Sequence, residues 1–245
     1  MEFKTVWIAA AACFLGFVGG FMLANSLNRS GTMISSNSEV ASNNIPDQDA
    51  LRAAATLTPD EIRSRIESAD KNPRDFTFQK SLGLSLYRYA SLKQDSAVLP
   101  ETIRIMQRAL DLDPADRDLQ IGLGNAHFDL GYFNKDNASF EQARKFYRKA
   151  LERVTSDVDV RCDLALTYFL NDPPDLETAI NEFEKGLEFN ARHERSLQFL
   201  TQTYIKAEKI GKAGETLERL RSVNPSNPTI QEFALLLSQD QPAGK

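Results

Sequence analysis

The first twenty or so apolar positions stand apart from everything that follows. From Thr5 to Ala24 the chain reads TVWIAAAACFLGFVGGFMLA without a single charge. As a helix rising 1.5 Å per residue, such a run crosses a hydrocarbon core of roughly 30 Å. It predicts a transmembrane helix at 5–24 behind a short flank at 1–4. A secretory signal has a shorter apolar run of about 7 to 15 residues, and the small-residue triplet Ala24-Asn25-Ser26 comes only at the end of this longer one, so the segment reads as a retained anchor. From 25 to 57 the pattern turns polar, with Ser and Asn dominating NSLNRSGTMISSNSEVASNNIPDQD, too poor in apolar surface to offset its ordering entropy. That stretch predicts a flexible linker. Thr58-Pro59-Asp60-Glu61 then carries a capping threonine, a proline suited to the first turn and two acids for the positive end of a helix dipole. A leading helix is predicted over 58–73, ending at Asn72-Pro73. Paired segments with helical periodicity follow from 76 to 228, then TIQEFALLLSQ at 229–239 and a polar tail at 240–245.

The paired segments repeat one another. Leu82-Gly83 is followed by Ala109-Leu110 and Pro114; Leu123-Gly124 is followed at the same spacing by Ala150-Leu151, with Thr155 at the proline place. Leu164-Ala165, Tyr168, Ala179, Phe183 and Gly186-Leu187 make a third unit. Leu200-Thr201, Tyr204, Ala213, Leu217, Leu220 and Pro225 make a fourth.

This spacing resembles the tetratricopeptide repeat (TPR), a helix-turn-helix unit of 34 residues, and the stretch LGNAHFDLG is similar to its first helix. The resemblance implies an all-α chain: a TPR solenoid of four helix-turn-helix units over 76–228, with the leading helix before it, a capping helix at 229–239 behind it, and the N-terminal transmembrane helix. Gly83, Gly124, Ala165 and Thr201 are expected to face Thr102, Ala143, Ala179 and Ala213, allowing close helix pairs. Units one and two carry roughly seven residues more than the family length and unit three roughly two more. In unit one, Ala90 and Pro100 predict a longer first helix; in unit two, Gly131 predicts a longer loop over Tyr132 to Ala138.

Charge and composition narrow the function. The 245 residues hold 29 Lys and Arg against 34 Asp and Glu, a net charge of -5, with no basic cluster of the kind a phosphate backbone selects, so nucleic acid is not an expected partner. The two cysteines, Cys13 and Cys162, form no metal or haem spacing. His127 and His193 fall on different units, the acidic run DLDPADRD lacks the glycine and closing glutamate of a calcium loop, and KIGKAGET lacks the first glycine of a phosphate loop. No catalytic residue, metal site or cofactor is read from the chain, and it is not expected to be an enzyme.

What remains is surface, and here the resemblance supplies the positions. Ligands of the family lie in the groove lined by the first helices. Position by position this gives Thr77, Lys80, Leu84, Tyr87 and Arg88 in unit one, and Asp118, Ile121, Asn125, Phe128 and Asp129 in unit two. Unit three adds Asp159, Cys162, Leu166, Phe169 and Leu170, and unit four Arg195, Gln198, Gln202, Ile205 and Lys206. Of the five places of the family's carboxylate clamp only Lys80 fits, since Leu84, Gly122, Asp159 and Asp163 occupy the rest; a peptide with apolar side chains suits the groove better than an acidic tail. The rings of Tyr87, Phe128 and Phe169 could equally pack between neighbouring first helices. Lys4 and the terminal amine oppose Arg29, which favours the amino terminus inside and the bulk outside, in the periplasm of a bacterial inner membrane. The expected protein is a membrane-anchored scaffold gripping a protein or peptide, similar to bacterial envelope factors such as those of cytochrome c maturation. Two alternatives stay open. One is a homo-oligomer, paired through the repeats or through Gly16 and Gly20, whose G-x-x-x-G spacing lets helix backbones approach; the other is a docking subunit of a membrane enzyme complex.

Overall fold

The computed structural model describes residues 57–239. The expected membrane span at 5–24, its Gly16-Gly20 pair, most of the linker and the tail lie outside the described residues. Among the described residues the chain is all-α, with ten α-helices and no strand, and none of these helices is long and apolar enough to cross a membrane. The chain divides into two compact units, with the boundary between Pro114 and Ala115.

The first unit holds α1 (Pro59–Lys71), α2 (Phe76–Lys93) and α3 (Leu99–Leu112), with a 3-10 turn at Ser96–Val98 before α3. Thr58 and Glu61 close a reciprocal capping box at the start of α1, satisfying two of the amides a helix start leaves without partners. Ile62, Ala69, Leu82, Leu86, Tyr89 and Ile105 form the core, with Leu57, Ile66, Phe78 and Val98 packed against it. Buried Gln79 donates to the carbonyls of Ala69 and Asn72, at 2.7 and 2.9 Å, and so closes the end of α1. Asp70 then receives Arg104 at 2.6 Å and Arg108 at 2.9 Å. The Arg104 bond, followed by that of Arg108, holds the Asp70 carboxyl below its usual range.

The second unit stacks three hairpins and a closing helix: α4 (Arg117–Asn134) with α5 (Asn137–Arg153), α6 (Val158–Phe169) with α7 (Leu176–Phe189), α8 (Glu194–Lys206) with α9 (Ile210–Val223), then α10 (Ile230–Gln239). Aspartates cap α4 to α7 in turn: Asp116 accepts from the Leu119 amide, Asp136 from Ala138 and Ser139, Asp157 from Val160 and Asp175 from Thr178. Asp116 belongs to the acidic run Asp111 to Asp118, which therefore works as a turn and helix cap. At α8 a histidine, His193, takes the aspartate's place and its Nδ1 accepts from the Ser196 amide.

Two expectations are corrected by these helices. The stretch from Tyr132 is not a longer loop: α4 runs on through Gly131 to Asn134, and Lys135 turns the chain at φ 52°. Gly131 is tolerated there because its missing Cβ makes room, an added one falling 2.9 Å from Phe140 Cδ1. The second concerns the close contacts. A Cβ on Gly83 would fall 2.5 Å from Met106 Cγ, and one on Gly124 would fall 2.5 Å from Tyr147 Cε1. The glycines therefore receive large side chains one helical turn beyond Thr102 and Ala143, so these contacts are small against large.

Candidate functional site

The first unit carries five of the sequence-derived groove positions, all on α2, and Thr77 among them is exposed. Tyr87 is buried, while Lys80, Leu84 and Arg88 are half-buried. The other fifteen lie on α4, α6 and α8, with Leu170 capping the end of α6, and most of them are enclosed. Cys162 and Arg195 are buried, Asp118 and Ile205 half-buried and Asp159 exposed. Ile121, Asn125 and Phe128 on α4, Leu166 and Phe169 on α6, and Gln198 and Gln202 on α8 are buried. Asp129 and Leu170 are half-buried, and Lys206 is exposed.

The enclosed residues have internal partners. The Tyr147 hydroxyl donates to Asn125 Oδ1 at 2.9 Å, Phe128 meets Phe140 edge-on with centroids 5.7 Å apart, and Gln198 accepts from Asn227 Nδ2 at 3.1 Å. Leu166 is completely buried. Asn125 and Leu166 therefore belong to the packed interior, and their substitution would disturb the fold together with any ligand contact. One pair of predicted positions does come together: the Lys206 ammonium lies 5.0 Å from the centroid of Phe169. Burial pulls Lys206 below its usual range and the nearby Asp172 carboxylate opposes that.

One row of positions stays accessible. Asp129, Leu170 and Lys206 each stand five places beyond the small residue of their first helix, which is Gly124, Ala165 or Thr201 respectively. The row offers an acid, a large aliphatic and a base, while the small residues behind it are buried.

Sequence reasoning missed the charged pair beside these helices. Asp163 Oδ1 and Arg195 Nη2 are 2.6 Å apart with side chains only 4% and 8% exposed, which joins α6 to α8. No local spacing in the sequence pairs residues so far apart. A second constellation runs Asp159, His193, Ser196. His193 Nε2 lies 3.2 Å from Asp159 Oδ1, and His193 Nδ1 lies 2.7 Å from Ser196 Oγ. The arrangement has the order of a nucleophile relay, yet Ser196 is completely buried and Nδ1 also accepts from its amide. It works as a helix cap tied to the preceding hairpin. His127 stacks on Phe146 with centroids 5.7 Å apart, and burial lowers its pKa to about 4. Among the described residues no group of three His, Cys, Asp or Glu side chains is placed to hold a metal ion.

Comparison with known proteins agrees with the repeat geometry. A family model described as tetratricopeptide repeat matches residues 124–153, the span from the packed Gly124 to the last residue of α5. No curated protein matches the chain. Among solved structures, one titled crystal structure of MamA is 16% identical, with a TM-score of 0.52 over 81% of this chain and 99% of that one. MamA from Desulfovibrio magneticus RS-1, also 16% identical, gives 0.56 over 74% and 94%. A thermophilic TPR protein of Thermus thermophilus, 14% identical, gives 0.54 over 78% and 98%.

Proposed function

We propose that this chain, a TPR-type helical repeat of the class that binds proteins, is a scaffold holding a partner on the first-helix row of its second unit, and that residues 5–24 anchor it in a membrane. The observation that carries the reading is the division of labour along α4, α6 and α8. Gly124 takes the Tyr147 ring of α5 against it and Ala165 and Thr201 are completely buried, while Asp129, Leu170 and Lys206 reach the surface with varied chemistry. Such a row suits a peptide with an apolar side chain for Leu170 flanked by polar or charged neighbours. The anchor reading and the sign of the flanking charges support a periplasmic place, and the resemblance to bacterial envelope scaffolds supports a task in assembling envelope proteins.

The test uses the full chain in its native membrane. Proteins retained by tagged wild type after mild solubilisation are compared with those retained by Leu170→Asp with Lys206→Glu, at equal helicity. Loss of specific proteins supports the row; equal retention by the two chains refutes it. Release of the full chain into the soluble fraction by alkaline carbonate would refute the anchor.

A further inference from the structure

Inter-helix arginines in this protein repeatedly close on carboxylates. Arg104 and Arg108 share Asp70, Arg117 meets Asp157, Arg161 meets Glu182 and Arg195 meets Asp163. Arg144 and Arg148 of α5 do something different, for both close on one ring. The Arg144 guanidinium carbon lies 4.7 Å from the centroid of Tyr168 on α6, and Arg148 Nη2 donates to the Tyr168 hydroxyl. Arg144 also donates to the Thr167 carbonyl at 3.2 Å, near the end of α6. Among the described residues neither arginine has a carboxylate at salt-bridge distance.

Two guanidiniums on one ring repel each other, and this repulsion is felt at Arg144. Burial is the main influence pulling Arg144 below its usual range, Arg148 adds to it, and Tyr168, Glu141 and Asp175 oppose it. The surroundings are basic as well: α5 also bears Lys145, Lys149 and Arg153 against only Glu141 and Glu152, in a chain whose net charge is -5. Lys145 is occupied by Glu141 at 3.4 Å. Each of the two guanidiniums spends one N–H group on its internal bond, and the Tyr168 hydroxyl, which accepts from Arg148, keeps its own proton to donate.

We propose that Arg144, Arg148 and the Tyr168 hydroxyl form a docking site for an acidic segment of a partner protein, whose carboxylates complete the pairing these arginines lack. The planar fork of arginine matches a carboxylate in a bidentate contact. The donors converge on one tyrosine, and Glu141 and Glu152 interrupt the positive field of the helix, which favours discrete carboxylates over a lipid surface. Its arginines lie on α5, a second helix, and none of its three residues belongs to the row of Asp129, Leu170 and Lys206, so it stands whether or not that row binds a partner.

The experiment measures fluorescence anisotropy of a fluorescein-labelled peptide of alternating glutamate and glycine against the detergent-solubilised full chain at low salt. Arg148→Gln should weaken binding at least about tenfold, because a charge-assisted pair contributes roughly 1.5 kcal/mol or more. Lys149→Gln removes the same charge from the next position and should change affinity by less than about threefold; Arg148→Lys should fall between. Arg148 is exposed, so its variants test the site without the fold, whereas Arg144 also closes the end of α6. The proposal is overturned if wild type does not bind the peptide, if Lys149→Gln weakens binding as much as Arg148→Gln, or if phosphatidylglycerol vesicles bind through Arg148 while the peptide does not.

Discussion

Tyr147 and Gly124 occupy each other's space: the tyrosine ring fills the position that a Cβ on the glycine would take, 2.5 Å from Cε1, and its hydroxyl is tied to Asn125, the next residue of the same helix, at 2.9 Å. The ring is completely buried. Helix α4 thus holds the tyrosine of α5 by shape at one residue and by a hydrogen bond at the next.

Replacing Gly124 with Ala should therefore destabilise the second unit by about 1–3 kcal/mol, since the ring has no room to retreat. The gain in helix propensity from Gly to Ala, about 1 kcal/mol, opposes this and sets the lower end. Gly83→Ala should cost the first unit a similar amount, because the added Cβ would meet Met106 Cγ at 2.5 Å and also the Met106 backbone nitrogen at 3.3 Å, which a rotamer change does not relieve. Urea midpoints of the two variants measure both losses.

Tyr147→Phe keeps the ring and removes the hydroxyl. The loss should be about 1–2 kcal/mol, the value of a buried hydrogen bond whose remaining partner is left in place. Combined with Asn125→Leu the loss should be less than the sum of the two single changes, as a double-mutant cycle on denaturation curves would read.

His127 makes stability depend on acidity. Its folded pKa of about 4 lies below the ordinary value of 6.5, so between those two values the unfolded chain binds a proton that the folded chain does not. Stability should fall as pH drops through that window, by at most about 3 kcal/mol, and this contribution should level off below pH 4. His127→Phe, which retains a ring against Phe146, should flatten the profile from pH 6.5 to about 4. The loss expected from Asp70, whose carboxyl is held low by Arg104 and Arg108, lies at more acid pH and should remain.

Arg195→Met should destabilise by about 3 kcal/mol or more, because it leaves Asp163 buried without its cation. Adding Asp163→Leu should recover most of that loss. If the single variant unfolds at the same denaturant concentration as wild type, the pair does not hold α6 to α8.

The helix pairs were legible because their signal is local and repeated: a small residue recurs at one place in each first helix, and surface periodicity does the rest. The loop after Gly131 was misread for the same reason. A glycine usually signals a turn, but here it answers Phe140, a residue of the following helix that sequence spacing alone does not connect to it. The helix capped by His193 shows the limit of residue type as evidence, since a histidine does the work that aspartates do at Asp116 and Asp157. Candidate binding positions were less legible still. Asn125 and Leu166 have the register of surface residues, and only three-dimensional packing reveals that they are enclosed. Pairing between distant arginines and carboxylates, or the lack of it at Arg144, leaves no periodic trace.

Arg117 begins α4, yet its guanidinium reaches the Ala150 carbonyl in the last turn of α5 at 3.3 Å and the Asp157 carboxylate that caps α6. One side chain therefore fastens the start of a hairpin to its end and to the opening of the next. Neither hairpin can fray at that corner without uncapping the other. Amide exchange from Leu119 to Leu187 should then proceed as a single event, with one protection limit across both hairpins, and the turn at Val154 to Ser156 should offer a protease no early point of entry.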